Sequence, residues 1–374
     1  MPLIKQGTGS IFDLCDDRIL YRSLNPLDSR LPRFSELKEQ LPILPESHPR
    51  KSDPVYGQIC AAYIRRIFAL EGKPEPENLL YFGDTLFNDV SAFNNIRAAG
   101  PWNGLAFIGR DNLQQPPGLS FEEYVASANR WSLLNSFLKQ IPFPLDERTV
   151  LVLDLDKTAL GARGRNDSPI NQARVEAMQQ TIQSALKGEL DRDQFRVSYD
   201  TLNQTEFHPF TGDNQDYLAY LCLIIIGGAL RLETLVEEIR SGGYSSFPQF
   251  LKSMQENHTA LEEKGLAEAH DTVWQAVQQG DPTPYKEFRK AEFLATLDRF
   301  TTNQSLPVKN LLEEHIILTA EVYQTARQLR QQGVVVLGIS DKPDISSLPD
   351  EAQAKAGLLP IHKQQTLIVG EDFS

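Results

Sequence analysis

The stretch Thr149-Val-Leu-Val-Leu-Asp-Leu-Asp-Lys-Thr158 narrows the choice of fold more than any other. Thr149 to Leu153 is an uninterrupted apolar and β-branched run, which reads as a strand buried on both faces of a parallel sheet. The run closes on Asp154 and Asp156. Two carboxylates therefore stand at the C-terminal edge of a buried strand, where open α/β sheets bind their ligands. Ending such a strand in two like charges is costly unless a cation sits beside them.

The rest of the chain has room for one large domain or two ordinary ones, at 374 residues, 41% hydrophobic and 23% charged. A net charge of −13 argues against a nucleic-acid surface. Cys15, Cys60 and Cys222 lie far apart and form no CxxC pair, which reads as reduced, buried thiols in a cytoplasmic protein. No basic-then-apolar signal pattern opens the sequence. The longest apolar run, residues 218–230, is too short to span a bilayer and contains Gly227 and Gly228, so a buried helix is expected and no membrane partner.

Upstream, residues 10–14 and 18–21 suggest short strands around Asp16-Asp17, and residues 25–49, with five prolines, suggest a loop carrying a short helix at 35–40. Lys51-Ser52-Asp53-Pro54 then opens a helix whose apolar residues Tyr56, Cys60, Tyr63 and Ile67 share one face. Ser52 or Asp53 suits its cap and Pro54 its first turn. Residues 78–82 read as a strand ending in Gly83-Asp84-Thr85-Leu86-Phe87-Asn88-Asp89, followed by a helix to Gly100 and a strand at 105–108. Strand, acidic turn, helix, strand is doubly wound grammar.

Residues 110–148 are expected to be a connector with a helix at 121–139. After Leu160, the glycine-spaced segment 161–165 reads as a flexible flap, and residues 169–300 as helices over 169–186, 216–241, 247–258, 259–279 and 284–300. A long helix at 311–332, ended by Gly333, precedes a second doubly buried strand, 334–339, that closes on Ser340-Asp341-Lys342-Pro343. A short helix near 350–356 and a strand at 366–369 complete the reading.

Asp154-x-Asp156-x-Thr158 after an apolar strand resembles motif I of the haloacid dehalogenase (HAD) superfamily, whose members are mostly Mg²⁺-dependent phosphohydrolases. Gly83-Asp84 with Asp89 resembles motif IV of that family, Lys51 its motif III lysine, and Ser340 its motif II residue. The family's usual order is I, cap, II, III, IV. Here it is III, IV, I, cap, II, for which a circular permutation is the simplest account.

The resemblance implies a doubly wound, Rossmannoid parallel-sheet α/β core: residues 1–160 as its first part, a helical C1-type cap over 161–310, and a second core part over 311–374. It implies Asp154 as nucleophile, Asp156 as general acid and base, Lys51 and Ser340 as phosphate ligands, and Thr158 as a brace of the loop. Mg²⁺ would be held by Asp154, the Asp156 carbonyl and Asp84, with Asp89 in support. Sharing one ion requires the Asp84 and Asp154 carboxylates within about 5 Å, given metal–oxygen bonds of ~2.1 Å.

The implied function is hydrolysis of a small phosphorylated metabolite. A phosphomutase or other phosphotransferase, and a non-catalytic scaffold that binds a partner, are the alternatives. The core halves could complete each other within one chain or in a swapped homodimer. Lys342 competes with Lys51 for the lysine role. Arg163 and Arg165 could clamp a substrate phosphate or be solvated loop arginines, and His208 receives no role.

Overall fold

The computed structural model describes residues 2–40 and 48–371, so part of the proline-rich stretch 25–49 lies outside the described residues. Two compact units emerge, residues 1–172 with 296–374, and residues 173–295.

The first unit is α/β. Its main sheet has seven strands: β2 (Ile19–Leu20), β3 (Asn78–Gly83), β4 (Asn103–Gly109), β5 (Leu119–Glu122), β6 (Val125–Ala128), β7 (Thr149–Asp154) and β9 (Val335–Ile339). They lie in the order β2-β9-β7-β3-β4-β6-β5, all parallel except the β5–β6 pair at the edge. Every residue of β3, β7 and β9 is buried, as expected for central strands covered on both faces. One face packs Val150, Val152, Tyr81, Leu337 and Ile339 against the helix Pro54–Leu70, through Tyr56, Ile59, Cys60 and Tyr63.

A smaller sheet joins β1 (Leu3–Gly9), β10 (Thr366–Glu371) and β8 (Leu318–Thr319). β1 runs antiparallel to β10, with Leu3 opposite Glu371, so the first and last described strands are neighbours. β3, from the first 110 residues, likewise lies beside β7.

The second unit is all helix. The chain enters it along Ser168–Leu186 and leaves it along Lys286–Leu297. Its centre is the helix Gln215–Ile226, buried almost throughout among Phe195, Phe207, Phe247, Phe250 and Val273. Asp216 is fully buried there and paired with Arg289 at 2.5 Å, so burial does not leave its charge alone.

Several expectations from the sequence are corrected. Residues 10–14 form no strand: Phe12–Cys15 is a helical turn in which the Asp13 carboxylate accepts the Ser10 N–H at 2.7 Å. The helix expected over 121–139 is instead a β5–β6 hairpin followed by the short helix Leu134–Leu138, because Glu123 turns the chain with φ of 49°. The alternation of β6, with Ala126 and Ala128 inward, extends the parallel sheet beyond β4.

The helix expected over 216–241 breaks at Gly227-Gly228 into Gln215–Ile226 and Leu232–Ser241. That expected over 259–279 breaks before Ala267, where Gly265 has φ of 70°. The helix expected over 311–332 is interrupted by β8, where the buried Leu318 and Thr319 pair with Ile368 and Val369 of β10.

All three cysteines are free and buried. Among the described residues no helix is long and apolar enough to cross a membrane.

Candidate metal centre

Three adjacent parallel strands end at one place. β7 delivers Asp154 and, past its end, Asp156; β3 delivers Gly83 and Asp84; β9 delivers Ser340 and Asp341. Lys51 arrives from the other direction, three residues before the helix Pro54–Leu70. That helix lies close on the helix Asn88–Ala99 because Gly57 has no side chain: a Cβ there would stand 2.3 Å from the Asn95 carbonyl. Asn95 then donates from Nδ2 to the Lys51 carbonyl at 3.1 Å, which fixes the Lys51 backbone.

The Lys51 ammonium is buried and donates to Asp154 Oδ1 at 2.7 Å and to Asp89 Oδ1 at 2.9 Å. Thr158 Oγ1 donates to the other Asp154 oxygen at 2.9 Å, so both carboxylate oxygens of Asp154 are held. Asp89 accepts a dense set of donors: the Asp84 and Thr85 backbone N–H groups at 3.1 and 2.9 Å, the Thr85 hydroxyl at 2.7 Å and the Tyr81 hydroxyl at 2.8 Å. Gly83 is required for this approach, since a Cβ would lie 2.7 Å from Asp89 Cβ. Asp84 pairs with the Arg163 guanidinium.

Asp84, Asp89 and Asp154 are all buried and each offers an oxygen within 4.8 Å of the others, inside the separation that shared coordination demands. Such a set of hard carboxylate oxygens fits a divalent cation. The electrostatics point the same way. Three carboxylates face the two cations Lys51 and Arg163, and Asp341 adds a further negative charge 3.9 Å from Lys51.

The balance is visible residue by residue. Burial and the neighbouring Asp89 charge push Asp84 up to about 7, against the pull of Arg163. Burial, with Asp89 and Asp84, pushes Asp154 well above the usual carboxylate range despite Lys51. Burial opposes ionisation of Asp89 too, but Lys51 and its hydrogen-bond donors prevail and hold it well below that range. Lys51 is itself buried, yet Asp154 and Asp89 keep it charged well above its ordinary pKa. The cluster lacks positive charge, and a cation is what would complete it.

The Asp156 carboxylate stands apart and accepts the Ser340 hydroxyl at 2.5 Å. Ser340 in turn accepts the Lys342 backbone N–H at 2.9 Å. The two lysines separate cleanly: Lys51 joins the carboxylates, whereas the Lys342 ammonium donates to Thr296 Oγ1 at 3.1 Å.

Segment 161–165 is pinned, contrary to the flexible flap expected. Gly161 N–H donates to Ile317 O at 2.9 Å, and Arg163 N–H to Lys157 O at 2.7 Å. The Arg165 side chain is enclosed and committed, with bonds of 2.8 and 2.9 Å to Glu321 and 2.7 Å to Asp111, so it is no substrate clamp. His208 belongs to the helical unit, 3.8 Å from Asp213.

Sequence reasoning missed Tyr81, Thr85, Asn95 and the Arg163–Asp84 pair. Tyr81 carried one signal, a hydroxyl inside a strand otherwise free of side-chain donors except its first residue, Asn78. No protein-family model, curated protein or solved structure matches the chain.

Proposed function

We propose that this protein is a HAD-like, Mg²⁺-dependent phosphatase that hydrolyses a small phosphate monoester through an aspartyl-phosphate on Asp154, its motifs standing in circularly permuted order. The observation that carries the reading is the meeting of Asp84, Asp89 and Asp154 around Lys51, with Asp89 38 and Asp154 103 residues from that lysine in the chain, at the ligand-binding edge of a parallel sheet.

Topology supports it. Counted from β7 and continued through the opposite end of the chain, β7, β9, β2, β3 and β4 lie in the spatial order 3-2-1-4-5, the order of a doubly wound sheet with its first strand at the switch point. The pairing of β1 with β10 supports the permutation, since the two ends it would have opened lie side by side. The helical unit 173–295 falls between β7 and β9 in the chain, the place of a C1-type cap, and favours a small soluble substrate.

In this reading the Asp154 carboxylate, oriented by Lys51 and Thr158 and ionised once a bound cation offsets its burial, attacks phosphorus as the ester P–O bond breaks. Asp156, oriented by Ser340, gives its proton to the departing alcohol. It then takes a proton from the water that forms the new P–O bond and releases Asp154. Lys51 binds the phosphoryl oxygens, and the Ser340 hydroxyl joins it on turning from Asp156. A bound Mg²⁺, with Asp84, Asp154 and the Asp156 carbonyl as ligands and Asp89 in support, would supply Lewis-acid charge to those oxygens.

The test is turnover of p-nitrophenyl phosphate and a panel of small phosphate esters by the whole chain. Activity is expected with Mg²⁺, lost to a chelator and restored by fresh Mg²⁺. Asp154→Asn is expected to lower kcat by at least ~10³-fold, the scale of a group acting in the bond-making step. Turnover surviving Asp154→Asn would remove the nucleophile, and silence across the panel with Mg²⁺ would favour a binding protein.

A further inference from the structure

The guanidinium of Arg163 holds one oxygen of Asp84, a carboxylate that a metal ion at this site would need. The two cations of the centre are not equivalent. Lys51 is buried and bridges Asp89 and Asp154, so it is built into the centre. The Arg163 side chain is one-third exposed, at 33%.

The Arg163 backbone, by contrast, is fixed. Its N–H donates to Lys157 O at 2.7 Å, and its carbonyl accepts the Asp111 N–H at 3.0 Å and Trp131 Nε1 at 3.2 Å. Gly164 lets this strap close, because a Cβ there would meet Asp111 O at 2.1 Å. A fixed backbone beneath a side chain that reaches solvent leaves one freedom: the guanidinium can leave Asp84 by rotating about its own bonds, and it stays tethered to the centre when it does.

A divalent cation and a guanidinium cannot share the same carboxylate oxygen without placing like charges in contact. Once displaced, the guanidinium presents a planar fork of N–H donors that matches a phosphate. The phosphoryl group it would meet is the one set against Asp154 in the reaction proposed above, on which this inference rests.

We propose that Arg163 is a displaceable counter-ion: it occupies Asp84 while the metal is absent and passes to the substrate phosphate when the metal takes Asp84. Arg163 is thereby both a competitor of the metal and a positioning group for the phosphate. Metal and phosphate then bind cooperatively, each raising the other's affinity by the same factor.

The experiment is calorimetric titration of Mg²⁺, and of inorganic phosphate with and without Mg²⁺, into wild type, Arg163→Met and Arg163→Lys at one fixed pH. Methionine keeps the apolar stem without the charge. Lysine keeps the charge without the fork, and so separates a charge effect from a folding defect. Arg163→Met is expected to bind Mg²⁺ at least about 5-fold more tightly and phosphate, with Mg²⁺ present, at least about 5-fold more weakly, the lower end of typical couplings. Arg163→Lys is expected to stay near wild type for Mg²⁺ and to lose phosphate affinity.

Unchanged or weaker Mg²⁺ binding by Arg163→Met would overturn the competition, and unchanged phosphate binding would overturn the hand-over. Failure of wild type to bind Mg²⁺ at all would overturn the metal reading and this inference with it. That result is distinguishable from the others, because it appears before any substitution at Arg163.

Discussion

Arginines 163 and 165 are two residues apart and do opposite things, and burial is what separates them. Arg165 is enclosed with Glu321 and Asp111, a network in which removing one partner strands the others, so it serves the fold. His270 in the helical unit shows the same logic for a neutral group. It is fully buried, donates from Nε2 to Gln255 Oε1 at 2.9 Å and accepts the Tyr220 hydroxyl on Nδ1 at 2.5 Å. Both ring nitrogens are satisfied in the uncharged imidazole. Burial accordingly lowers its pKa from 6.5 to about 4. Between these limits the unfolded chain binds a proton that the folded protein refuses, so stability is full above the unfolded value and is lost as pH falls toward the folded one. The expected loss from this residue is about 3 kcal/mol. Urea unfolding of wild type and His270→Gln at neutral pH and near pH 4 measures it: the variant is expected to lose less stability on acidification, and parallel losses would refute the assignment.

At the scale of elements, the centre depends on how closely two helices approach. Gly57 lets Pro54–Leu70 lie against Asn88–Ala99, and the contact is with backbone, which cannot yield locally. Gly57→Ala is expected to cost about 2 kcal/mol by overpacking. It is also expected to lower kcat, because Lys51 stands three residues before the helix that shifts; equilibrium unfolding and kcat read on the same sample test both, and an unchanged kcat would detach Lys51 from this packing.

The same elements show what the sequence could and could not disclose. The strand ends bearing Asp84, Asp154 and Ser340 were legible because a buried strand and its polar stop are local signals. The β5–β6 hairpin was not, since Phe121, Tyr124 and Trp131 mimic helical spacing and only the pairing with β4 makes β6 a strand. The commitment of Arg165 was hidden for another reason: its partner Glu321 is 156 residues away. Gly57 read as one more residue of a helix, because the backbone it admits lies in another helix.

For the whole molecule, the neighbouring positions of Leu3 and Glu371 allow the chain order to be rewritten. A chain that begins at Pro142, runs to Glu371, continues through a short Gly/Ser linker into Leu3 and ends at Ile141 would meet β7 first. The new opening falls between the helix Leu134–Leu138 and β7, in a segment outside the regular elements. This reordered chain is expected to give the wild-type circular dichroism spectrum and Mg²⁺-dependent activity within a factor of about three, as cuts in exposed connections usually allow. An insoluble or differently folded product would refute the equivalence of the two orders.

The pairing of early strands with late ones also governs when the molecule can assemble. β2 waits for β9, β1 for β10, and β3 for β7. A ribosome emitting roughly 5–20 residues per second would hold the first strands in the open for many seconds, their hydrogen-bonding edges unsatisfied, before the late strands emerge. Closing such long loops is slow, and exposed edges invite pairing with other nascent chains. Synthesis in this order leaves the early strand edges exposed until the late strands arrive, and the reordered chain, which makes its central strand first, would shorten that exposure.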